Sequence, residues 1–243
     1  MLFRSAGAEG VGRTTVVEIS QLRKTIASRM MTSRRETAFM SVFEEVEISR
    51  LEEALSRYRP EFADRGVKLT YLPFIVKAVT RALTEHPVMN SEVDFAKGII
   101  IQKKYYNIGI AVDTDEGLFV PVLRDADKKN IGELAGEIAE FAEKARNRKI
   151  TLEDMKDGTF SISNYGPIGG LFATPIINYP QAGILGVGRI VKRPVVADGG
   201  IVPGRLLPLS LSADHRVIDG GEAARFLNTC MRNIADPVRM VLE

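Results

Sequence analysis

The sequence predicts an α+β fold in which a mixed β-sheet is flanked by helices. Two observations carry this. Short apolar or alternating runs, bounded by Gly, Pro, Asp and Asn, recur between residues 39 and 211, as the strands of a sheet do. Helical patterns interrupt them at irregular intervals, without the regular alternation of a doubly wound fold.

Each element has its own signal. Met1 to Arg13 is small, Gly-rich and unpatterned, so residues 1–13 read as a flexible linker and 14–243 as the folded domain. Val16 to Ile19 is a short strand candidate. Ser20 caps a helix over Gln21 to Arg35, whose apolar face is Leu22, Ile26, Met30 and Met31. Its arginines and lysine read first as a solvated face. Phe39 to Ile48 alternates as a half-buried strand does. Ser49 with Glu52 has the pattern of a capping box, opening a helix to about Tyr58. Thr70 opens a helix over Tyr71 to Glu85 that is apolar on most sides and therefore buried. It stops at His86-Pro87, where His86 suits the negative end of the helix dipole.

Ile99 to Gln102, Asn107 to Asp113 and Leu118 to Leu123 read as strands, the last two joined by a turn at Asp113-Thr114-Asp115-Glu116-Gly117. Pro121 puts the third at an edge or a bulge. Asn130 with Glu133 caps an amphipathic helix to about Arg148. Thr151 with Asp154 starts a short one. Thr159 to Ser163 is a strand running into the Gly-rich corner Ser163-Asn164-Tyr165-Gly166. Ala182 to Val187 and Ile190 to Val196 are strands, and Asp198-Gly199-Gly200 signals a hairpin. Leu206 to Leu211 is a buried strand, and Asp219 to Ile234 a helix.

Composition excludes several function classes. A net charge of +2 gives no case for nucleic acid or an anionic membrane as partner. No apolar run approaches membrane-spanning length. The single cysteine, Cys230, forbids an internal disulfide and fits a reducing compartment; it reads as a small buried helix residue.

The chemistry concentrates at Ser212-Ala213-Asp214-His215-Arg216-Val217-Ile218-Asp219-Gly220-Gly221. One of only two histidines stands where a strand ends. Histidine is the side chain most easily set as a general base near neutral pH. Alone, His-x-x-x-Asp-Gly fits a structural histidine beside an N-cap aspartate. Dinucleotide binding fails, because Gly183 to Gly188 has the wrong glycine order and lies in a strand. A metal site fails for want of a third ligand beside His215 and Asp219. A Ser-His-Asp hydrolase lacks the G-x-S-x-G elbow, and Asp219 is better placed to fix the loop than to orient the ring. A fourth reading needs no covalent intermediate: His215 deprotonates a substrate thiol or hydroxyl, and Ser163 donates to the resulting oxyanion.

Five ordered segments carry a family resemblance. They are Arg23 to Met30; Asn107 to Thr114 with Gly117 to Val122; Thr159 to Gly166 with Ile168-Gly169-Gly170; Thr174 to Asn178 with Gln181 to Gly188; and Ser212 to Gly220. Together they resemble the dihydrolipoamide acyltransferase (E2) core of 2-oxo acid dehydrogenase complexes, which shares its fold with chloramphenicol acetyltransferase. The resemblance implies a trimer. It implies His215 as general base on the thiol of dihydrolipoamide or CoA, and Ser163 as oxyanion donor, from neighbouring chains. It implies Asp219 as a brace of the histidine loop through a first-helix arginine, Arg23 or else Arg29, with Asn164 and Gly166 supporting the serine corner. Coenzyme A is then a substrate, no cofactor is tightly bound, and the lipoyl group rides on a separate domain. E1 and E3 components would engage domains outside this catalytic core. The apolar tail 236–243 resembles an anchor that joins trimers into a cage, burying Val238, Met240, Val241 and Leu242. The acyl group would be acetyl or branched-chain, and the compartment the prokaryotic cytoplasm or the mitochondrial matrix. The alternatives are a related acetyltransferase with another acceptor and a non-catalytic scaffold.

Overall fold

The computed structural model describes residues 14–114, 117–197 and 199–242. In order, its elements are α1 (Gln21–Glu36), β1 (Phe39–Glu47), α2 (Ser49–Asp64), α3 (Tyr71–Glu85), β2 (Ser91–Asp94), β3 (Ile99–Gln102), β4 (Ile108–Thr114), β5 (Gly117–Phe119), β6 (Val122–Leu123), α4 (Ile131–Arg146), β7 (Phe160–Asn164), β8 (Gly183–Val187), β9 (Val191–Ala197), β10 (Gly200–Asp214), α5 (Gly220–Ala235) and α6 (Arg239–Leu242). The linker assigned to 1–13 lies outside the described residues, as do Asp115, Glu116 and Asp198 of the two expected turns.

The central sheet runs β1–β10–β8–β7–β4–β5, with β6 also on β4 and β9 also on β10. β1, β10 and β8 are antiparallel neighbours, whereas β8, β7 and β4 are parallel. The expected mixed sheet is therefore present. Strand periodicity gives it two unlike faces. On one, Phe160, Ile162, Leu209, Leu211 and Ala213 are fully buried in the main core with α3 and α5. Phe160 meets Phe226 of α5 at 5.7 Å between ring centroids. On the other, Ser161, Ser163, Gly186, Ser210 and Ser212 stand side by side. The segment 165–181 is tied across this polar face, with Ser161 Oγ donating to Gln181 Oε1 at 2.7 Å.

Helix ends follow the sequence at several points. Asn130 and Glu133 make both bonds of the capping box at α4. Ser20 Oγ accepts from Arg23 N at the start of α1. α3 buries Leu72, Ile75, Val76, Val79 and Leu83.

Other expectations fail for physical reasons. Val16 to Ile19 is not a strand; Val16 is 93% exposed, with no sheet edge beside it. Ser49 and Glu52 do not cap α2. Ser49 binds Glu47 instead, and Glu52 accepts from Tyr71 and faces Arg205. α2 also runs past Tyr58 and through Pro60, because Leu51, Leu55 and Phe62 anchor it to the core. The strand expected over 118–123 breaks at Val120-Pro121, although Pro121 O still accepts from Ile110 N at 2.8 Å. Met240, expected to be offered to another trimer, is 8% exposed and packs into this chain's own core. Val238 is outward and 61% exposed, while the side chains of Val241 and Leu242 lie outside the described residues.

His86 does more than end α3. Its ring meets Glu222 Oε1 at 2.9 Å and Thr229 Oγ1 at 3.0 Å, joining α3 to α5. Burial raises the Glu222 carboxyl, but hydrogen bonds from His86 and Arg225 outweigh it and hold the group below its ordinary value. A depressed carboxyl stabilises the fold above its unfolded pKa, about 4.3, and this is lost as pH falls through the lower folded value. Glu222→Gln should therefore flatten the acid limb of the stability–pH curve below about pH 5. An unchanged limb in denaturant titrations across that range would count against the coupling.

Candidate active site

His215 sits on a turn fixed from both sides. The β1–β10 ladder continues past Asp214, with His215 N donating to Ala38 O at 2.8 Å. Val217 N and Ile218 N both return to Asp214 O, and Ile218 is fully buried. The Asp214 side chain clamps the turn. Buried to 3% exposure, it accepts from Ala38 N at 3.1 Å and Arg216 N at 3.2 Å. It also takes a forked pair from the Arg216 guanidinium, Nε at 3.0 Å and Nη2 at 2.8 Å. That pairing holds Arg216 above its ordinary pKa. The same guanidinium lies 4.5 Å over the Phe95 ring, tying the turn to the β2–β3 hairpin. The His215 imidazole itself is exposed and makes no hydrogen bond with another described residue.

Ser163 is held by parallel pairing to Ala111 of β4 and Gly186 of β8. The chain then turns sharply, with Tyr165 N and Gly166 N both donating to Val187 O at 3.1 Å. Gly166 is required here, since a Cβ would lie 2.5 Å from Gly188 O. No described residue hydrogen-bonds the Ser163 hydroxyl, which leaves it available to a ligand. Asn164 alternates to the opposite face of β7. There it lines a cavity of about 280 Å³ with Tyr71, Gly166 and Arg189. It does not stand beside the Ser163 hydroxyl.

The expected brace of the histidine loop, Asp219 paired with an arginine of α1, is not seen among the described residues. The Asp219 carboxylate caps α5, accepting from Glu222 N at 2.8 Å. Arg23 and Arg29 lie on the exposed face of α1, and among the described residues neither pairs with Asp219. Arg29 instead lines a cavity with Thr32, Asn178 and Tyr179. The loop brace that the structure does contain is Asp214–Arg216. Sequence reasoning missed it, although the signal was present: residues two apart at a strand end share a face, and an Asp and Arg there can pair.

Strand register also fixes how far apart the two groups are. Ser163 is level with Gly186, and Gly186 with Ser210 of β10. His215 lies five residues beyond Ser210, roughly 17 Å along the strand, and two strands across, roughly 10 Å. The hydroxyl and imidazole are thus on the order of 20 Å apart in one chain, far beyond joint contact with one reacting atom.

The two aspartates should separate by experiment. Asp214→Asn loses the charge of a buried, multiply bonded carboxylate and should cost about 1–3 kcal/mol. Asp219→Ala loses an N-cap and should cost about 1 kcal/mol, whereas Asp219→Asn keeps the cap and should cost only a few tenths. Urea denaturation orders the three. A larger loss for Asp219→Asn than for Asp214→Asn would contradict these assignments.

The family model for 2-oxoacid dehydrogenases acyltransferase (catalytic domain) matches residues 11–242. The dihydrolipoyllysine-residue acetyltransferase component of the Bacillus subtilis pyruvate dehydrogenase complex is 43% identical over 97% of this chain and 53% of its own length. The chain thus spans about half the length of the curated relatives it matches. The cubic core of the pyruvate dehydrogenase multienzyme complex superposes with a TM-score of 0.92 at 40% identity, covering 95% of each chain. Azotobacter vinelandii dihydrolipoamide acetyltransferase, studied for the role of a serine, a histidine and an asparagine in its catalytic mechanism, gives 0.92 at 39% identity over 95% of each chain. Chloramphenicol acetyltransferase shares the fold, at a TM-score of 0.52 and 12% identity, covering 91% of this chain and 99% of its own. The chain belongs to the 2-oxoacid dehydrogenase acyltransferase family and comprises its catalytic domain.

Proposed function

We propose that this domain transfers an acetyl group between dihydrolipoamide and coenzyme A, as part of the core of a pyruvate dehydrogenase-type complex. The observation that carries the reading is His215 on its clamped turn, with an exposed imidazole and an unengaged serine hydroxyl about 20 Å away along a fixed register. A neighbouring copy resolves that distance by bringing its Ser163 to this chain's His215. The spacing of the A. vinelandii residues supports the assignment. Its serine, histidine and asparagine stand 52 and 4 residues apart, as Ser163, His215 and Asp219 do here.

The reaction follows from these two groups. His215 takes the proton of the attacking thiol, and the thiolate adds to the thioester carbonyl. The oxyanion so formed accepts a hydrogen bond from Ser163. Its collapse expels the second thiolate, which recovers the proton from the imidazolium. Nothing is oxidised or reduced, and no acyl group rests on the protein. The base contributes about 10²–10⁴-fold and the oxyanion donor about 10²–10³-fold. Asp214 keeps the base in place, and the neighbouring copy shields it from water.

The same reading sets the surroundings. Coenzyme A is a substrate, and the lipoyl group arrives on a separate domain. E1 and E3 components engage other domains. Trimers join into a larger particle, with Val238 at the contact. The Bacillus subtilis and Staphylococcus epidermidis relatives are bacterial, and no described helix is long and apolar enough to cross a membrane. We place the protein in the cytoplasm.

Three measurements test this. Acyl transfer from acetyl-CoA to dihydrolipoamide should fall by about 10²–10⁴-fold in His215→Ala; a fall under about tenfold removes the general base. Comparison of kcat/KM for acetyl-, isobutyryl- and succinyl-CoA should rank acetyl first, and a preference for succinyl would overturn the substrate assignment. Val238→Asp should reduce particle mass in analytical ultracentrifugation. It is a cleaner probe than deleting the tail, which would also take Met240 from the core. An unchanged mass would refute the anchor.

A further inference from the structure

The corner that carries Ser163 is not held by its backbone alone. Two residues on, the Tyr165 ring reaches across β8 toward β10. Glycine at 186 leaves room for it, since a Cβ there would lie 3.0 Å from Tyr165 Cε1. At the far side the Tyr165 hydroxyl is 3.1 Å from Ser210 Oγ. Ser210 is fully buried in the middle of β10 and is level, through Gly186, with Ser163. The same Ser210 oxygen accepts from Ala173 N at 3.2 Å. One buried hydroxyl therefore grips both sides of the 165–173 loop. Close backbone contacts complete the seat: Arg189 N donates to Gly170 O at 2.9 Å, and a Cβ at Gly188 would lie 2.1 Å from Leu171 O.

A buried hydroxyl on a core strand needs partners. Here those partners are two points of the loop that follows the oxyanion serine. We propose that the Tyr165–Ser210 hydroxyl pair is a positioning element for the acyl-transfer reaction, setting the aim of Ser163 at the developing oxyanion. Whichever hydroxyl donates, the pair ties the corner to the strand that also ends in His215. Both halves of the chemistry are then referenced to β10. The proposal rests on the acyltransferase reading above and adds two residues to it. Neither touches substrate; both act through Ser163.

Small errors of placement at an oxyanion donor are costly, of the order of 10²-fold for about 1 Å. Tyr165→Phe keeps the ring over Gly186 and removes only the hydroxyl. It should lower kcat by about tenfold, with KM for both substrates within about twofold. Ser210→Ala should behave alike, and the double variant should be no worse than either single one. The decisive arm is the Ser163→Ala background, in which Tyr165→Phe should change the residual kcat by less than about twofold. A purely structural role predicts the same loss in both backgrounds. If Ser210→Ala does not fold, Tyr165→Phe with and without Ser163 still decides the question. Equal losses in the two backgrounds, or an unchanged kcat in Tyr165→Phe, would overturn the proposal. Wild-type protein that transfers no acyl group would instead overturn the parent reading, and the tether's catalytic role with it.

Discussion

The register of β10 is the constraint on which the rest of the structure depends. This strand of 15 residues pairs with β1 along one edge, and with β8 and then β9 along the other. A slip by one residue would turn Leu209 and Leu211 out of the core and bring Ser210 and Ser212 in. Burial of one face thus locks the pairing, and the pairing fixes where His215 leaves the sheet. It also fixes Ser163, two strands away, at a level far from His215. Ser163 and His215 of one chain therefore stand apart, and on the proposed reading a neighbouring copy brings a serine to a histidine.

The asymmetry of the sheet serves the same end. Its apolar face is closed by α3 and α5, whose buried side chains share one hydrophobic core with the sheet. Its serine-rich face is crossed by the segment 165–181, held by side-chain hydrogen bonds as well as by buried Ile177 and the edge-on contact of Phe172 with Phe43. Bonds of this kind contribute modestly to stability, but they are directional. They suit a segment that, on the proposed reading, places one hydroxyl. The histidine turn is fixed by the same means but with charge, through Asp214 and Arg216.

Much of this was legible in the sequence, because periodicity is a local signal. The buried helix α3, the capping box at Asn130 and the strands on either side of Ser163 followed from it. Failures occurred where distant residues decide. Ser49 and Glu52 have the same spacing as a capping box, yet Glu47, Tyr71 and Arg205 recruit them first. Pro60 is a local reason to end α2, and buried Leu51 and Leu55 overrule it. β2 is a short strand with two acidic residues, and its pairing with β3 could not be inferred from its own pattern. At the site, His215 and Ser163 were singled out from residue type and motif. The brace was assigned to Asp219 because it lies within the motif, whereas the burial that makes Asp214 the clamp is a property of the fold. The distance between Ser163 and His215 needed strand register, which no single segment encodes.

The central claim is that each working site is shared between two copies. It is tested by mixing chains carrying His215→Ala with chains carrying Ser163→Ala, unfolding them together and reassembling them. Each variant alone should be nearly inactive. Random assortment should restore about a quarter of the shared sites to a working serine and histidine, and about a quarter of wild-type activity. Activity no higher than that of the two variants assembled separately would contradict the account.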